Sequence, residues 1–264
     1  MTEDKCKAVI LCGGRGTRLK EETEFKPKPL VEIGSMPLLW HIMKIYSHYG
    51  HNEFVLPLGY KGDMIKEFFM DFSWRANDFS LNLKSDAVSV HENHKKEDWN
   101  IHFVDTGLKS GTGLRLFKVK DFLEGDDNFL LTYGDGVSNV DINKLIDFHK
   151  KQKTIATITG VNVYSGFGIL KVNNNKVVKF TEKPINQDMI NGGFMVFNKR
   201  VFDHINDNNS MLEEYGSGLL PKLAKIGEVS VYHHTGFWKS MDNYRDYLEL
   251  NKIWKEDPRW KVWK

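Results

Sequence analysis

The run Cys6 to Cys12 (CKAVILC) is the feature that most narrows what this chain can fold into: it is apolar and stops at glycine. A strand buried on both faces reads this way, and such strands belong to parallel sheets with helices packed on each side. The loop after it is Gly13-Gly14-Arg15-Gly16-Thr17-Arg18-Leu19. Its glycines let backbone N–H groups approach an anion, and its arginines are bidentate phosphate donors. Neither G-x-G-x-x-G nor G-x-x-x-x-G-K-[ST] is present, which excludes the two common nucleotide-loop motifs. Further on, Lys26-Pro27-Lys28-Pro29-Leu30 holds its lysines on extended backbone, because proline restricts both itself and the residue before it. A glycine loop beside stiff lysines suits a phosphate-bearing ligand.

Beyond the lysines the chain has the rhythm of an α/β sheet. Apolar residues recur at helical spacing from Pro37 to Tyr49, with proline at the start and Gly50 as the C-terminal cap. Glu53 to Leu58 reads as a strand and Gly62 to Asp71 as a helix, so the order is β-α-β-α. Phe79 to Leu83 and Ala87 to His91 read as a β-hairpin excursion. Trp99 to Asp105 and Asn128 to Tyr133 are further strands, and Asp141 to Lys151 is a helix whose His149 is a face residue, not a catalyst. Beyond it, Thr154 to Val163 is a strand. Gly168 to Val172 and Lys176 to Phe180 form a hairpin about Asn173-Asn174-Asn175, in keeping with a substrate-facing sheet. A helix at Leu219 to Ile226, a strand at Glu228 to His233, a helix at Tyr244 to Trp254 and a tryptophan-bearing tail, Asp257 to Lys264, complete the chain. We read one domain over 1–264, with a nucleotide-binding half at 1–150 and a second, substrate-facing half with the C-terminal tail at 151–264.

Composition excludes several classes. The chain has 264 residues and a formal net charge of +2 with both signs interspersed, so no face is dedicated to nucleic acid or an anionic membrane. No apolar run approaches a membrane span and no signal-peptide pattern precedes the first strand, from which a cytoplasmic location is expected. The chain has two cysteines. They flank one strand on the same face and read as buried free thiols. His91 and His94 have no third partner, so metal ligation is not expected there.

Gly13-Gly14-x-Gly16-Thr17-Arg18-Leu19 followed by Lys28 resembles the signature of the sugar-phosphate nucleotidyltransferases. Later segments carry the same resemblance. Thr112-Gly113 with Arg115 is similar to the family's base-reading turn, and Gly134-Asp135-Gly136 stands at the end of a strand where open α/β sheets bind ligands. Glu182-Lys183-Pro184 resembles the sugar-phosphate clamp, and Ile190-Asn191-Gly192-Gly193-Phe194-Met195-Val196-Phe197 the strand that lets a sugar approach the backbone. Gly236-Phe237-Trp238-Lys239-Ser240-Met241-Asp242 resembles the second metal-binding segment. Lys109-Ser110-Gly111, Leu114 and Leu56-Pro57-Leu58 depart from the family pattern.

The resemblance implies a mixed, mainly parallel Rossmann-like sheet flanked by helices, with a β-rich sugar-binding region. It implies Arg18 and Lys28 as catalytic residues, and a nucleotide site formed by Leu11, Gly13, Gly14, Arg15, Gly16, Thr17, Arg18, Lys28, Thr112, Arg115 and Gly134. Tyr133, Glu182, Lys183, Asn191, Gly192 and Trp238 would hold the sugar phosphate, and Asp135 with Asp242 a magnesium ion. Within the family the likeness is nearest the cytidylyl-transferring branch, which implies CTP and α-D-glucose 1-phosphate as substrates and CDP-glucose and pyrophosphate as products. Nothing in charge or spacing separates cytosine from uracil, so UTP or dTTP, and another phosphorylated acceptor, stay open as alternatives. The Trp99 strand, the preceding hairpin and the tryptophan-bearing tail carry more aromatic surface than a monomer of this size needs, so a homo-oligomer is expected, and the resemblance favours a trimer or hexamer. The residue types suit this chemistry, because a sugar phosphate is already an anionic nucleophile that needs alignment and charge neutralisation and no general base. Two rivals differ in what they would lack: a glycosyltransferase would lack the early glycine loop and Lys28, and a noncatalytic sugar-nucleotide sensor would lose a phosphate lysine or a metal aspartate.

Overall fold

The computed structural model describes residues 5–91, 96–163, 167–182, 188–206 and 211–264. Strand β1 (Ala8–Leu11) is buried at every position, and its side chains alternate between two apolar layers. Ala8 and Ile10 join one layer, which Cys6 and Cys12 also enter, while Val9 and Leu11 join the other. This is the period-2 geometry of a strand covered on both sides. Both cysteines are buried and free of disulfides; burial pushes the Cys12 thiol far above its ordinary pKa, against the pull of nearby Arg115.

Helix α1 (Leu38–His48) comes directly after Pro37 and buries Leu38, Leu39, Ile42, Met43, Ile45 and Tyr46 against the first layer. The chain then forms β2 (Glu53–Leu58), α2 (Gly62–Met70), the hairpin β3 (Asp78–Asn82) and β4 (Ala87–His91), then β5 (Asn100–Asp105). A short helix at Phe72–Ala76, unforeseen from the sequence, links α2 to the hairpin. Next come α3 (Thr112–Lys118), β6 (Asn128–Tyr133), β7 (Gly136–Ser138), α4 (Ile142–Gln152) and β8 (Ala156–Val161). The second hairpin is β9 (Ile169–Asn173) and β10 (Lys176–Thr181), with its turn at Asn174 and Asn175, both at positive φ. Last come β11 (Ile190–Asn191), β12 (Met195–Asn198), α5 (Leu219–Lys225), β13 (Val229–His234), β14 (Trp238–Ser240) and α6 (Tyr244–Glu256).

The main sheet runs in the order β11-β8-β12-β6-β1-β2-β5, with β13 beside β8. Strands β6, β1, β2 and β5 are parallel to one another, whereas β12 pairs antiparallel with both β6 and β8. The sheet is therefore mixed, as expected. From β1 the chain steps outward through β2 to β5 and then returns to the opposite side of β1 as β6. This reversal creates a crevice at the carboxyl ends of β1 and β6, where ligands of such sheets bind. The sequence Ile190 to Phe197, expected as one strand, is broken instead. Gly193 and Phe194 adopt positive φ of 71° and 39°, which kinks the chain between β11 and β12. Phe194 is buried and stacks on Tyr46, and packing of this kind can hold a non-glycine residue in a costly conformation.

The tryptophan tail packs on its own chain. Trp260 is fully buried, and Trp254, Trp260 and Trp263 surround His41. His41 Nε2 donates to the Ile33 carbonyl at 2.9 Å, and its Nδ1 faces Trp260 Nε1 at 3.5 Å. Burial lowers the His41 pKa to about 4, and burial, with Arg200 and Lys150 nearby, does the same to His149. A folded-state pKa below the unfolded value of about 6.5 means the unfolded chain binds more protons in that window. The urea midpoint should therefore fall as pH drops from 6.5 towards 4, and a flat midpoint would show that these rings are not buried neutral. No helix among the described residues is long and apolar enough to cross a membrane.

Candidate active site

Leu11 pairs with Tyr133 across β1 and β6, and the Gly134 N–H donates to the Leu11 carbonyl at 3.2 Å. The glycine loop rises from this crevice. At Gly16 the backbone is left-handed, with φ +63°, and a Cβ there would lie 2.9 Å from Thr23 Cγ2. The Thr23 hydroxyl clasps the loop by donating to the carbonyls of Gly16 and Leu19 at 2.9 and 2.7 Å. Gly14 has open space where a side chain would be, as close approach of a ligand to the backbone requires. Arg15, Thr17 and Arg18 are exposed on the loop.

Gly13 has a different reason to be glycine. A Cβ at that position would stand 2.1 Å from the Arg115 guanidinium carbon, and one at Gly59 would stand 2.6 Å from its Nη1. Arg115 is 4% exposed and donates to the carbonyls of Leu58 and Gly13 at 2.7 and 3.0 Å and to Thr106 Oγ1 at 2.5 Å. Burial lowers its pKa, with Asp105 and Cys12 acting the other way. The arginine thus lies under the loop as a strut, its hydrogen bonds given to two backbone carbonyls and a threonine, although it also lines the cavity wall. Gly13→Ala should displace it and destabilise the protein by about 1–3 kcal/mol, the usual cost of overpacking. An unchanged thermal midpoint would show that the guanidinium can move aside freely.

The short ribbon of β7 and β14 joins two distant carboxylates. The strands pair antiparallel with Ser240 opposite Gly136, and the Met241 N–H donates to the Asp135 carbonyl at 2.8 Å. Asp135 and Asp242 therefore leave the ribbon side by side. Lys28 Nζ contacts Asp135 Oδ2 at 2.8 Å and Asp242 Oδ1 at 3.2 Å, and Arg18 meets the same Asp242 oxygen at 2.8 Å. Burial works to raise the Asp242 pKa, but Lys28 and Arg18 outweigh it and hold the carboxyl below its ordinary value. Asp246, in the capping box of α6, accepts from the Asp242 N–H at 3.0 Å and fixes the approach of this segment.

Two cavities meet here. One, of about 450 Å³, is lined by Leu11, the glycine loop, Lys28, Thr112, Arg115, Tyr133, Gly134 and Asp135. The other, of about 560 Å³, is lined by Asn191, Gly192, Glu213, Trp238, Ser240 and Asp242. Arg18, Tyr133 and Asp135 belong to both walls, so the cavities are adjoining halves of one site. In the second half, Trp238 Nε1 donates to the Gly192 carbonyl at 2.6 Å, and Asn191 bonds the Gly193 N–H and the Glu213 carboxylate. Burial, then the facing Glu213 carboxylate, pushes the Tyr133 phenol far above its ordinary pKa. Glu182 stands exposed at the end of β10 and lines neither cavity. Lys183 lies outside the described residues, as does His94.

Sequence reasoning overlooked Met211 and Glu213. Their segment is tied to the first cavity by the Leu212 N–H, which donates to Thr112 Oγ1 at 2.8 Å. No periodicity or motif in the sequence marks it.

The profile of the Nucleotidyl transferase family matches residues 7–256. The chain is 48% identical over 259 residues to a probable glucose-1-phosphate cytidylyltransferase of Bacillus subtilis, covering 97% of this chain and 100% of that protein. It is 45% identical over 260 residues to the glucose-1-phosphate cytidylyltransferase of Salmonella typhimurium, covering 97% and 99%. Among solved structures, HddC from Yersinia pseudotuberculosis superposes with a TM-score of 0.69 at 22% identity, over 94% of this chain and 99% of that one. A putative glucose-1-phosphate thymidylyltransferase from Bacillus anthracis gives 0.64 at 19% identity, over 95% of each chain. With a family match across almost its whole length and the same sheet in solved structures, this chain belongs to the Nucleotidyl transferase family.

Proposed function

We propose that the chain transfers the cytidylyl group of CTP to α-D-glucose 1-phosphate, forming CDP-glucose and releasing pyrophosphate. The observation that carries this reading is identity of 45–48% with glucose-1-phosphate cytidylyltransferases over nearly the full chain. The geometry fits it. A phosphate oxygen of the sugar phosphate attacks the α-phosphorus of the nucleotide while the bond to the bridging oxygen of the pyrophosphate breaks. The first cavity, with its glycine loop and Arg15, would take the triphosphate, and the second, with Asn191, Gly192 and Trp238, the sugar. Tyr133, Asp135 and Arg18, shared by both walls, mark where the phosphates would meet. Arg18 and Lys28 would draw the reacting groups together and offset the charge that develops on the departing pyrophosphate.

The two aspartates suit a magnesium ion. Their oxygens already converge on one ammonium group, within 3.2 Å, and a pair of carboxylates completed by phosphate oxygens and water is the donor set magnesium takes. When bound, the ion would neutralise phosphate charge. The test of the whole reading is a screen of pyrophosphate release, four nucleoside triphosphates against several sugar 1-phosphates. Preference for UTP or dTTP, or for another sugar, would replace the assigned substrates, and no release with any pair would leave a binding protein.

A homo-oligomer is part of the reading. The tail and Trp99 pack internally, so the apolar surface that supports assembly lies elsewhere, on the hairpins. Phe79 is 43% exposed and Val88 55%, and Phe180 is 62% exposed on the second hairpin. Exposed apolar patches often mark interfaces. Sedimentation at micromolar concentration should give a mass several times that of one chain, and a single-chain species would refute it.

A further inference from the structure

The second cavity contains a carboxylate that none of the motifs accounts for. We infer that Glu213 is a specificity-determining residue that reads the hydroxyl groups of the acceptor sugar. The inference deepens the reading of this cavity as the sugar-phosphate site and rests on it.

The residues just before Glu213 are tied down by three hydrogen bonds. The Leu212 N–H before it is bonded to Thr112 Oγ1 at 2.8 Å, the Leu220 N–H donates to the Leu212 carbonyl at 2.8 Å, and the Leu219 N–H donates to the Met211 carbonyl at 3.3 Å. A loop tied this way presents its side chain from a fixed backbone, as a recognition residue must be presented. The carboxylate is exposed, on the wall that also carries Asn191, Gly192 and Trp238. Asn191 donates its amide to Glu213 Oε1, and the Tyr133 phenol faces the same carboxylate. The Asn191 bond comes from the protein side. An ionised carboxylate offers about four lone-pair positions, so capacity remains for donors arriving from the cavity.

A sugar supplies donors of this kind. Neighbouring hydroxyls can both point at one carboxylate, and hydrogen bonds to an ionised acceptor are roughly twice as strong as neutral ones. The ligand's anionic end would be kept away from Glu213. The cationic groups Arg18 and Lys28 lie towards Asp135 and Asp242, so phosphate would be drawn there and the hydroxyl-bearing ring would extend towards Glu213. Trp238, fixed by its bond to the Gly192 carbonyl, offers a flat apolar face beside it. Glu213 is then placed to distinguish sugars by which hydroxyls they carry, leaving the phosphate contacts common to all of them.

The experiment compares wild-type protein with Glu213→Gln and Glu213→Ala, measuring KM for CTP and glucose 1-phosphate and turnover of monodeoxyglucose 1-phosphates. Loss of a charge-assisted bond should raise the KM for glucose 1-phosphate about tenfold to a hundredfold. The KM for CTP and the thermal midpoint should not move. The penalty the wild type imposes on one or two adjacent deoxy positions should shrink in both variants. Unchanged sugar KM with an unchanged deoxy profile would overturn the inference, as would an equal rise in both KM values. Calorimetry with glucose 1-phosphate separates the two layers. Wild-type protein that binds it without turnover sinks the transferase reading alone, and the Glu213 comparison is then made on the isotherms, where equal affinities overturn it. Wild-type protein that neither turns over nor binds any sugar 1-phosphate, with CTP present or absent, overturns both.

Discussion

Lys28→Ala is expected to cut turnover about a hundredfold while the protein stays folded. The side chain is 12% exposed and spans two carboxylates at 2.8 and 3.2 Å, so it belongs to the polar floor between the cavities. Its Cβ also touches the space above Gly16, which links it to the glycine loop. A cation there acts on charge that builds up as pyrophosphate departs, and loss of one contact made chiefly in the transition state costs about 3 kcal/mol, or a hundredfold in rate. The fold should tolerate the change. Asp135 and Asp242 each keep about 32% side-chain exposure, and Arg18 still pairs with Asp242, so neither carboxylate becomes a buried, unpaired charge. The measurement is kcat for pyrophosphate release beside a thermal melt. Near-native kcat would remove Lys28 from the mechanism, and a collapsed melt would show that its role is to hold the floor together.

The fold was largely legible because its signals are local. The β1 run, the Pro37 helix start and the Asn174-Asn175 turn each arise from residues next to one another in the chain. The illegible parts depend on contacts between distant segments. The β7 and β14 strands have three residues each, too few for a periodicity, so the convergence of Asp135 and Asp242 could be anticipated only through resemblance. Arg115 shows a different limit. The resemblance puts it in the nucleotide site, whose cavity it does line, yet Gly13, Gly59 and Thr106 close around it, and nothing in Leu114-Arg115-Leu116 tells a buried strut from an exposed hook. Glu213 is the opposite case, an ordinary acidic residue in an aperiodic stretch whose interest comes only from the wall it joins. The kink at Gly193 and Phe194 was hidden too, because a run rich in β-formers reads as continuous until its φ angles are known.

Asp135→Asn and Asp242→Asn should each lower turnover about a hundredfold at limiting magnesium and raise the magnesium concentration needed for half-maximal rate, and the double variant should lose less than the two losses combined. Each substitution keeps the shape of the side chain but removes a charge from the pair of carboxylates proposed to hold magnesium. Magnesium is usually held by one or two carboxylates plus substrate phosphates, so in the proposed site removing either would weaken the same ion. Non-additivity is the rule for residues that share a partner. The ribbon makes the sharing physical: the Met241 N–H on the Asp135 carbonyl and the Asp246 carboxylate on the Asp242 N–H fix both backbones, so neither aspartate can retreat to serve alone. A second coupling runs through Lys28, which both carboxylates hold, and it must be separated from the first. Magnesium titrations of the singles and the double in the Lys28→Ala background do this. Coupling that persists without the lysine belongs to the ion, whereas coupling that vanishes belongs to Lys28. Independent losses in both backgrounds, or a double variant with wild-type magnesium demand, would mean that the two carboxylates serve separate purposes despite standing side by side.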